Sequence, residues 1–165
     1  MERRMLAGVA VLSVAVLTIC GCAGVGRGVP VQPAVAVLTL STQGSLPPGS
    51  AIGGIEVTVI LPPGVAAKAD KTGATMDNAV VVSGVAQGAL SAAKFTPAAG
   101  TAPARVGLAL VKTTGFGIGE FATLNLDITG ALPRLTDFST ASMSVSDTNG
   151  TAITGLTPAL SLQLK

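Results

Sequence analysis

Histidine, tryptophan and tyrosine are absent from this 165-residue chain. Without histidine the commonest general base and the commonest metal ligand are missing, and a Ser-His-Asp or Cys-His arrangement is excluded. Without tryptophan or tyrosine there is no flat aromatic platform of the kind on which many sugar-binding sites stack their ligands. Only Phe95, Phe116, Phe121 and Phe138 remain, and four phenylalanines in an apolar domain are core residues more often than ligand platforms. Charged residues make up 11% of the chain, too few and too scattered for the clustered lysines and arginines of a nucleic-acid surface. The carboxylates Glu56, Asp70, Asp77, Glu120, Asp127, Asp137 and Asp147 show no spacing that asks for an acid and base pair. The composition points away from an enzyme and away from a resident metal or cofactor.

Cysteine is scarce too, and both copies, Cys20 and Cys22, close a short export-like segment. Arg3 and Arg4 precede an apolar run from Leu6 to Ile19, interrupted only by Gly8, Ser13 and Thr18. That order of positive, apolar and then small residues reads as a secretory signal. As a helix, about 14 residues rise about 21 Å, short of a hydrocarbon core near 30 Å thick.

The end of the run, Ile19-Cys20-Gly21-Cys22, resembles the bacterial lipobox. The resemblance implies that residues 1–21 are cut off and that Cys22 becomes the lipid-bearing first residue. Cys20 does not fit that role, because Ile19 stands before it where the pattern has a small residue. The mature chain then keeps a single, alkylated cysteine and no disulfide, and its acyl chains, at about 0.8 kcal/mol per buried methylene, hold it at a membrane surface. Ala23 rather than aspartate follows the cysteine, which in a Gram-negative cell is similar to the outer-membrane sorting case. Losing Arg3, Arg4 and Glu2 from ten basic and eight acidic residues leaves eight and seven, an almost neutral chain with no pull toward nucleic acid.

Residues 23–33, Ala-Gly-Val-Gly-Arg-Gly-Val-Pro-Val-Gln-Pro, have no helical or strand periodicity and read, together with Cys22, as a lipidated tether over 22–33. From Ala34 to Lys165 the pattern is that of short strands. Val35 to Leu40 is a β-rich run. Ile55, Val57 and Val59 alternate with Glu56, Thr58 and Ile60 before Pro62-Pro63-Gly64. Val80 to Val82, Ala104 to Val111, Ala122 to Thr129, Ser142 to Ser146, Thr151 to Thr154 and Leu160 to Leu164 complete the set. Leu124, Leu126 and Ile128 against Thr123, Asn125 and Asp127 form the clearest half-buried strand. Such strands, separated by Gly, Pro and Asn turns, predict an all-β, antiparallel β-sandwich over 34–165. Val85 to Ala93 carries a weak helix signal, lowered by Gly84 and Gly88, and residues 64–79 and 84–103 read as long connections.

The order of these segments resembles the cohesin-type domain, a jelly-roll sandwich related in fold to certain carbohydrate-binding modules. The opening strand Val35 to Leu40, the stretch Ala51 to Val65 running into its proline turn, and Val106 to Val111 followed by Gly119 to Ile128 carry the resemblance. A closing hairpin, Ser142 to Thr154, turns at Asp147-Thr148-Asn149-Gly150. The resemblance implies a sheet face that binds a protein partner and assigns no individual contact residue.

Two short stretches invite a sharper reading. Asp147-Thr148-Asn149-Gly150 looks like the start of a calcium loop but lacks the downstream bidentate glutamate, and Asn-Gly is a preferred centre for a tight turn. Gly115-Phe116-Gly117-Ile118-Gly119-Glu120 looks like a phosphate cradle but precedes a strand where a nucleotide site needs a helix. It reads as a flexible hairpin between the strands on either side, with an exposed Phe116 as the candidate binding loop. Asp127 and Glu56 alternate with apolar neighbours and are expected to face water.

The expectation is a non-catalytic, exported surface lipoprotein held in the cell envelope through lipid on Cys22, in the outer membrane of a Gram-negative host. Its sandwich acts as a binding or scaffolding module for a protein partner. The alternatives are a polysaccharide-binding module or a structural envelope lipoprotein without a discrete ligand. A strip of exposed apolar side chains on one sheet face, rimmed by polar residues, favours the protein partner, and a concave groove lined with amides and acids favours sugar.

Overall fold

A computed structural model describes residues 34–76 and 78–165. The signal segment 1–21, the tether 22–33 with Cys22, and Asp77 lie outside the described residues. Among the described residues nine strands carry the fold: β1 (Ala34–Gln43), β2 (Ile52–Ile60), β3 (Val65–Ala67), β4 (Val80–Val82), β5 (Leu90–Thr96), β6 (Arg105–Phe116), β7 (Glu120–Ile128), β8 (Ser139–Asp147) and β9 (Thr157–Leu164). All pairings are antiparallel. One sheet has the order β3-β7-β1-β9, with β4 also on the outer edge of β7; the other has the order β5-β6-β2-β8.

Period-two patterning sets which side chains meet. Leu38 and Leu40 of β1 and Leu124 and Leu126 of β7 point inward from the first sheet, and all are at most 1% exposed. Val57 and Val59 of β2 and Val106, Leu108 and Leu110 of β6 point inward from the second. Leu38 lies opposite Leu124 on one side and Leu162 on the other, so a leucine layer runs across three strands. The core is mostly aliphatic, with Phe116, Phe121 and Phe138 among its members, as side chains from the two sheets interdigitate across about 10 Å. The expected all-β antiparallel sandwich is what the described residues form.

Three local expectations are corrected. The strands on either side of Gly117-Ile118-Gly119 do not form a hairpin: β6 pairs with β2 and β5, and β7 pairs with β1, β3 and β4. The short connection instead carries the chain from one sheet to the other, and Phe116 and Phe121 at its two sides both enter the core. Thr151 to Thr154 is not a strand; only the single bridge between Ser146 and Ala152 follows the turn, after which β9 joins β1 in the opposite sheet. Val85 to Ala93 holds a one-turn 3-10 segment at Gly84–Ala86 and then the start of β5. Ala92 and Ala93 have high helix propensity, but pairing with β6 overrides it.

The segments read as long connections also protect sheet edges. β3 and β4 lie one after the other along the outer edge of β7. The β3–β4 connection folds over to the free edge of β5, where Phe95 N–H donates to Gly73 O (2.7 Å) and Thr75 N–H to Ala93 O (3.2 Å). Unpaired strand edges invite association with other chains, and this loop covers one of them. The proximal end of the sandwich is defined here as the end at which β1 begins. It gathers the β2–β3, β5–β6 and β7–β8 connections, as the pairs Ala34 with Ile128, Val65 with Ile128 and Ile60 with Arg105 and Ser139 require.

Candidate binding face

The outer face of β5-β6-β2-β8 is built from alternate residues whose neighbours fill the core. Register places them in rows. Leu90, Val111, Gly54 and Ser146 form the first; Ala92, Ala109, Glu56 and Ser144 the second; Lys94, Gly107, Thr58 and Ser142 the third; Thr96, Arg105, Ile60 and Ser139 the fourth. With strands about 4.8 Å apart and alternate residues about 6.7 Å apart, the grid covers roughly 15 by 20 Å.

The centre of the grid is shallow because its residues are small. Ala92, Ala109, Gly107 and Gly54 leave two open depressions, of about 350 Å³ and 290 Å³, that share Glu56 and Ala109. Leu90 and Val111 stand directly opposite each other, 79% and 54% exposed. Solvent-facing leucine and valine in contact, continued by two alanines, make a small apolar strip. Its rim is polar: Ser142, Ser144 and Ser146 of β8 on one side, Lys94 and Arg105 toward the proximal end, and the exposed carboxylate of Glu56 within it. No cluster of metal-ligating side chains occurs among the described residues.

Of the residues singled out by sequence, Glu56 lies on this face, whereas Phe116, Asp127 and Asp147 do not. Phe116 is 6% exposed and packs in the core opposite Ile52, which corrects the expectation of an exposed ring in a binding loop. Alternation along β6 does not lead to it: Thr113 and Thr114 are both exposed, and the pairing with β2 shifts register between Val111 and Phe116, which turns the ring inward. Asp147 closes a turn: its Oδ1 accepts from Asn149 N–H and Thr151 N–H, both at 2.8 Å, and its carbonyl accepts from Gly150 N–H at 3.1 Å. Glu56 is exposed, and Asp127 is 41% exposed with Lys68 Nζ 3.8 Å from its Oδ1, as the alternation indicated. Cys22 lies outside the described residues.

The contribution of β5 to the face was not legible in the sequence. Leu90, Ala92, Lys94 and Thr96 point outward and Ser91, Ala93 and Phe95 inward, so two of the outward positions are apolar and one inward position is serine. Against Ala and Ser, alternation has almost no polarity contrast to display. The one signal present was Lys94-Phe95-Thr96, a short β-favouring run before Pro97.

The β3–β4 connection holds a carboxylate with a shifted titration. Asp70 Oδ1 accepts from the Thr72 hydroxyl (2.7 Å), Thr72 N–H (2.8 Å) and Ala74 N–H (3.1 Å). These donors, the Thr72 hydroxyl foremost, hold its pKa below the ordinary 3.8. Compared with known proteins, the chain matches no family model, no curated protein and no solved structure.

Proposed function

We propose that this protein is a non-catalytic lipoprotein of the cell envelope, held through lipid on Cys22, whose cohesin-like sandwich binds a protein partner on the outer face of β5-β6-β2-β8. The observation that carries the reading is the exposed Leu90–Val111 pair continued by Ala92 and Ala109 and rimmed by serines, Lys94, Arg105 and Glu56. An apolar centre with a polar rim is the anatomy of a protein interface. The flatness of the face and the lack of Trp and Tyr count against a polysaccharide groove. A few hundred Å² is smaller than the roughly 800 Å² a side of a standard interface, so a complex confined to this grid is a transient one. Lipid on Cys22 places the host's outer membrane first where the cell is Gram-negative, and a module fixed there gains local concentration from location itself.

The test is capture from envelope extract on the immobilised chain beginning at residue 22 with Cys22→Ser. The expected result is a discrete protein retained by this chain and lost with Leu90→Asp and Val111→Asp, but kept with Ser161→Asp on the opposite sheet. Retention of no protein at any salt concentration, or retention untouched by the Leu90 and Val111 changes, counts against the reading. Retention of polysaccharide instead supports the carbohydrate-binding alternative.

A further inference from the structure

Charge is distributed unevenly along the sandwich. Of the seven Lys and Arg among the described residues, six lie in the half toward the proximal end: Lys68, Lys71, Lys94, Arg105, Arg134 and Lys165. Three of the described carboxylates share that half, and each has a partner. Asp127 faces Lys68 (3.8 Å), Asp137 Oδ2 accepts from Arg134 N–H (2.7 Å), and Asp70 Oδ1 takes its three loop donors. No other ion pair occurs among the described residues. The far half keeps one cation, Lys112, whose Nζ is bonded to Gln87 O (2.8 Å), with Glu120 and Asp147, and Glu56 stands at the middle of β2 between the two halves.

Lys71, Lys94 and Arg105 line one cleft of about 490 Å³, between the Asp70–Gly73 loop and the ends of β5 and β6, and outnumber the one carboxylate that also lines it, Asp70, whose Oδ1 is turned to its loop donors. The β7–β8 connection at the same end displays Leu132 and Leu135, 62% and 43% exposed, on either side of exposed Arg134. That connection leads into β8, at the opposite edge of the sheet from β5 and the cleft. Exposed leucines next to arginine and a concave cationic surface, spread across one end of the fold, are the components of an interfacial membrane contact: apolar side chains enter the head-group boundary and cations neutralise anionic lipid.

We infer that the proximal end of the sandwich is a membrane-contact surface for an anionic phospholipid bilayer, with Leu132 and Leu135 entering the interface and the Lys71–Lys94–Arg105 cleft seating a phosphate-bearing head group. The chain from Cys22 joins the fold at this end, at Ala34, so the orientation rests in part on the proposed anchor. The charge and the exposed leucines do not. Docking by this end holds the distal loops, and with them the upper rows of the binding face around Leu90 and Val111, away from the bilayer and open to a partner.

The experiment uses the chain beginning at residue 22 with Cys22→Ser, which carries no lipid and leaves every strand intact. Vesicles of neutral phosphatidylcholine are compared with vesicles that are about three parts in ten phosphatidylglycerol. Binding is expected to be at least about tenfold tighter to the anionic vesicles and to weaken sharply toward about 0.5 M salt. Lys94→Ala, Arg105→Ala and Arg134→Ala should each cost about fivefold, and Lys112→Ala nothing. Leu132→Ser with Leu135→Ser should weaken binding at every salt concentration. All of these residues except Lys112 are exposed, and an unchanged thermal transition confirms that the variants fold. Equal binding to both vesicle types, or binding indifferent to the three cations, overturns the inference. Full displacement by millimolar glycerol phosphate overturns it too, since the cleft would then be a site for a soluble anion. Lipid labelling of Cys22 in the full chain is read separately, so a failed anchor and a failed membrane contact are distinguishable.

Discussion

Asp70 and Asp147 hold the same position in two turns of the same design. In each, the aspartate Oδ1 accepts from the backbone N–H two and four residues on. In each, its carbonyl accepts from the glycine three residues on at 3.1 Å, and its own N–H donates to the carbonyl four residues on. Gly73 and Gly150 have φ of 85° and 83°, a region in which glycine has no Cβ penalty. In both, the carboxylate oxygen organises the loop by gathering its N–H groups. The calcium-like look of Asp147-Thr148-Asn149-Gly150 is a turn signature.

The two aspartates should therefore tolerate asparagine better than alanine. For Asp147, alanine leaves two N–H groups to water and is expected to cost about 0.5–1 kcal/mol, the low end for a hydrogen-bonded group because the turn is wet. Urea denaturation of Asp147→Ala and Asp147→Asn measures the difference, and equal midpoints would show that the carboxylate does not organise the turn.

Asp70 adds a pH dependence of fixed sign. Its pKa is lowered in the folded chain, so the unfolded chain binds the proton more readily. The stabilisation is fully present above the unfolded value and is lost as pH falls through the folded one. Below an ordinary carboxylate value, wild type should lose thermal stability somewhat faster than Asp70→Asn, and the curves should run parallel at higher pH. Melting temperatures between about pH 5 and pH 2 check this.

Thr42 is the one buried polar side chain among the described residues, 2% exposed. Its hydroxyl accepts from Gly119 N–H (3.0 Å) and donates to Gly119 O (3.3 Å), while its backbone N–H also reaches Gly119 O (2.9 Å). It thus pins the crossing between β6 and β7 to the end of β1, beside the register shift at Leu40 and Ser41. Thr42→Val keeps the shape, strands the Gly119 N–H and should cost roughly 1–3 kcal/mol. Thr42→Ser should cost less, and the two are separated by chemical denaturation.

How far the fold was legible depends on polarity contrast. Leu124, Leu126 and Ile128 against Thr123, Asn125 and Asp127 announced β7, and the same contrast announced β2. β5 and the loop that covers its edge were hidden, because Ala, Ser and Gly say little about which face they occupy. The connection through Gly117-Ile118-Gly119 is ambiguous in sequence, since a short glycine-rich link fits a hairpin and a crossing alike; which one forms depends on whether the flanking strands find other partners. For the same reason the candidate face was invisible: its rows exist only through registers of four strands that are distant in sequence. A lone phenylalanine between glycines is conspicuous in the sequence, yet Phe116 is buried while Leu90 and Val111 are exposed.

Gly73 links the covered edge to the cationic cleft. A Cβ there would stand 2.6 Å from Phe95 O and 3.4 Å from Lys94 Cε, so any side chain pushes the loop off β5. The expected cost of Gly73→Ala is about 1–3 kcal/mol from the left-handed backbone and the clash together. Gly88, at φ 82° with nothing within 4 Å of its Cβ position, should lose only the backbone part. Hydrogen exchange at the Phe95 and Thr75 amides, which bond across this seam, should quicken in Gly73→Ala and not in Gly88→Ala.

Cys22 is the residue on which the proposed location depends. If Ile19-Cys20-Gly21-Cys22 is processed as its resemblance to the lipobox implies, Cys22→Ala should abolish incorporation of labelled fatty acid and leave a precursor larger by the 21-residue signal segment. Cys20→Ala should change neither, because Cys20 leaves with that segment. The sandwich begins at Ala34, so neither substitution touches its core, and the melting temperature of the domain should stay the same in both. Equal labelling of the Cys22→Ala chain would remove the anchor while leaving the face and the cationic end to be judged on their own binding.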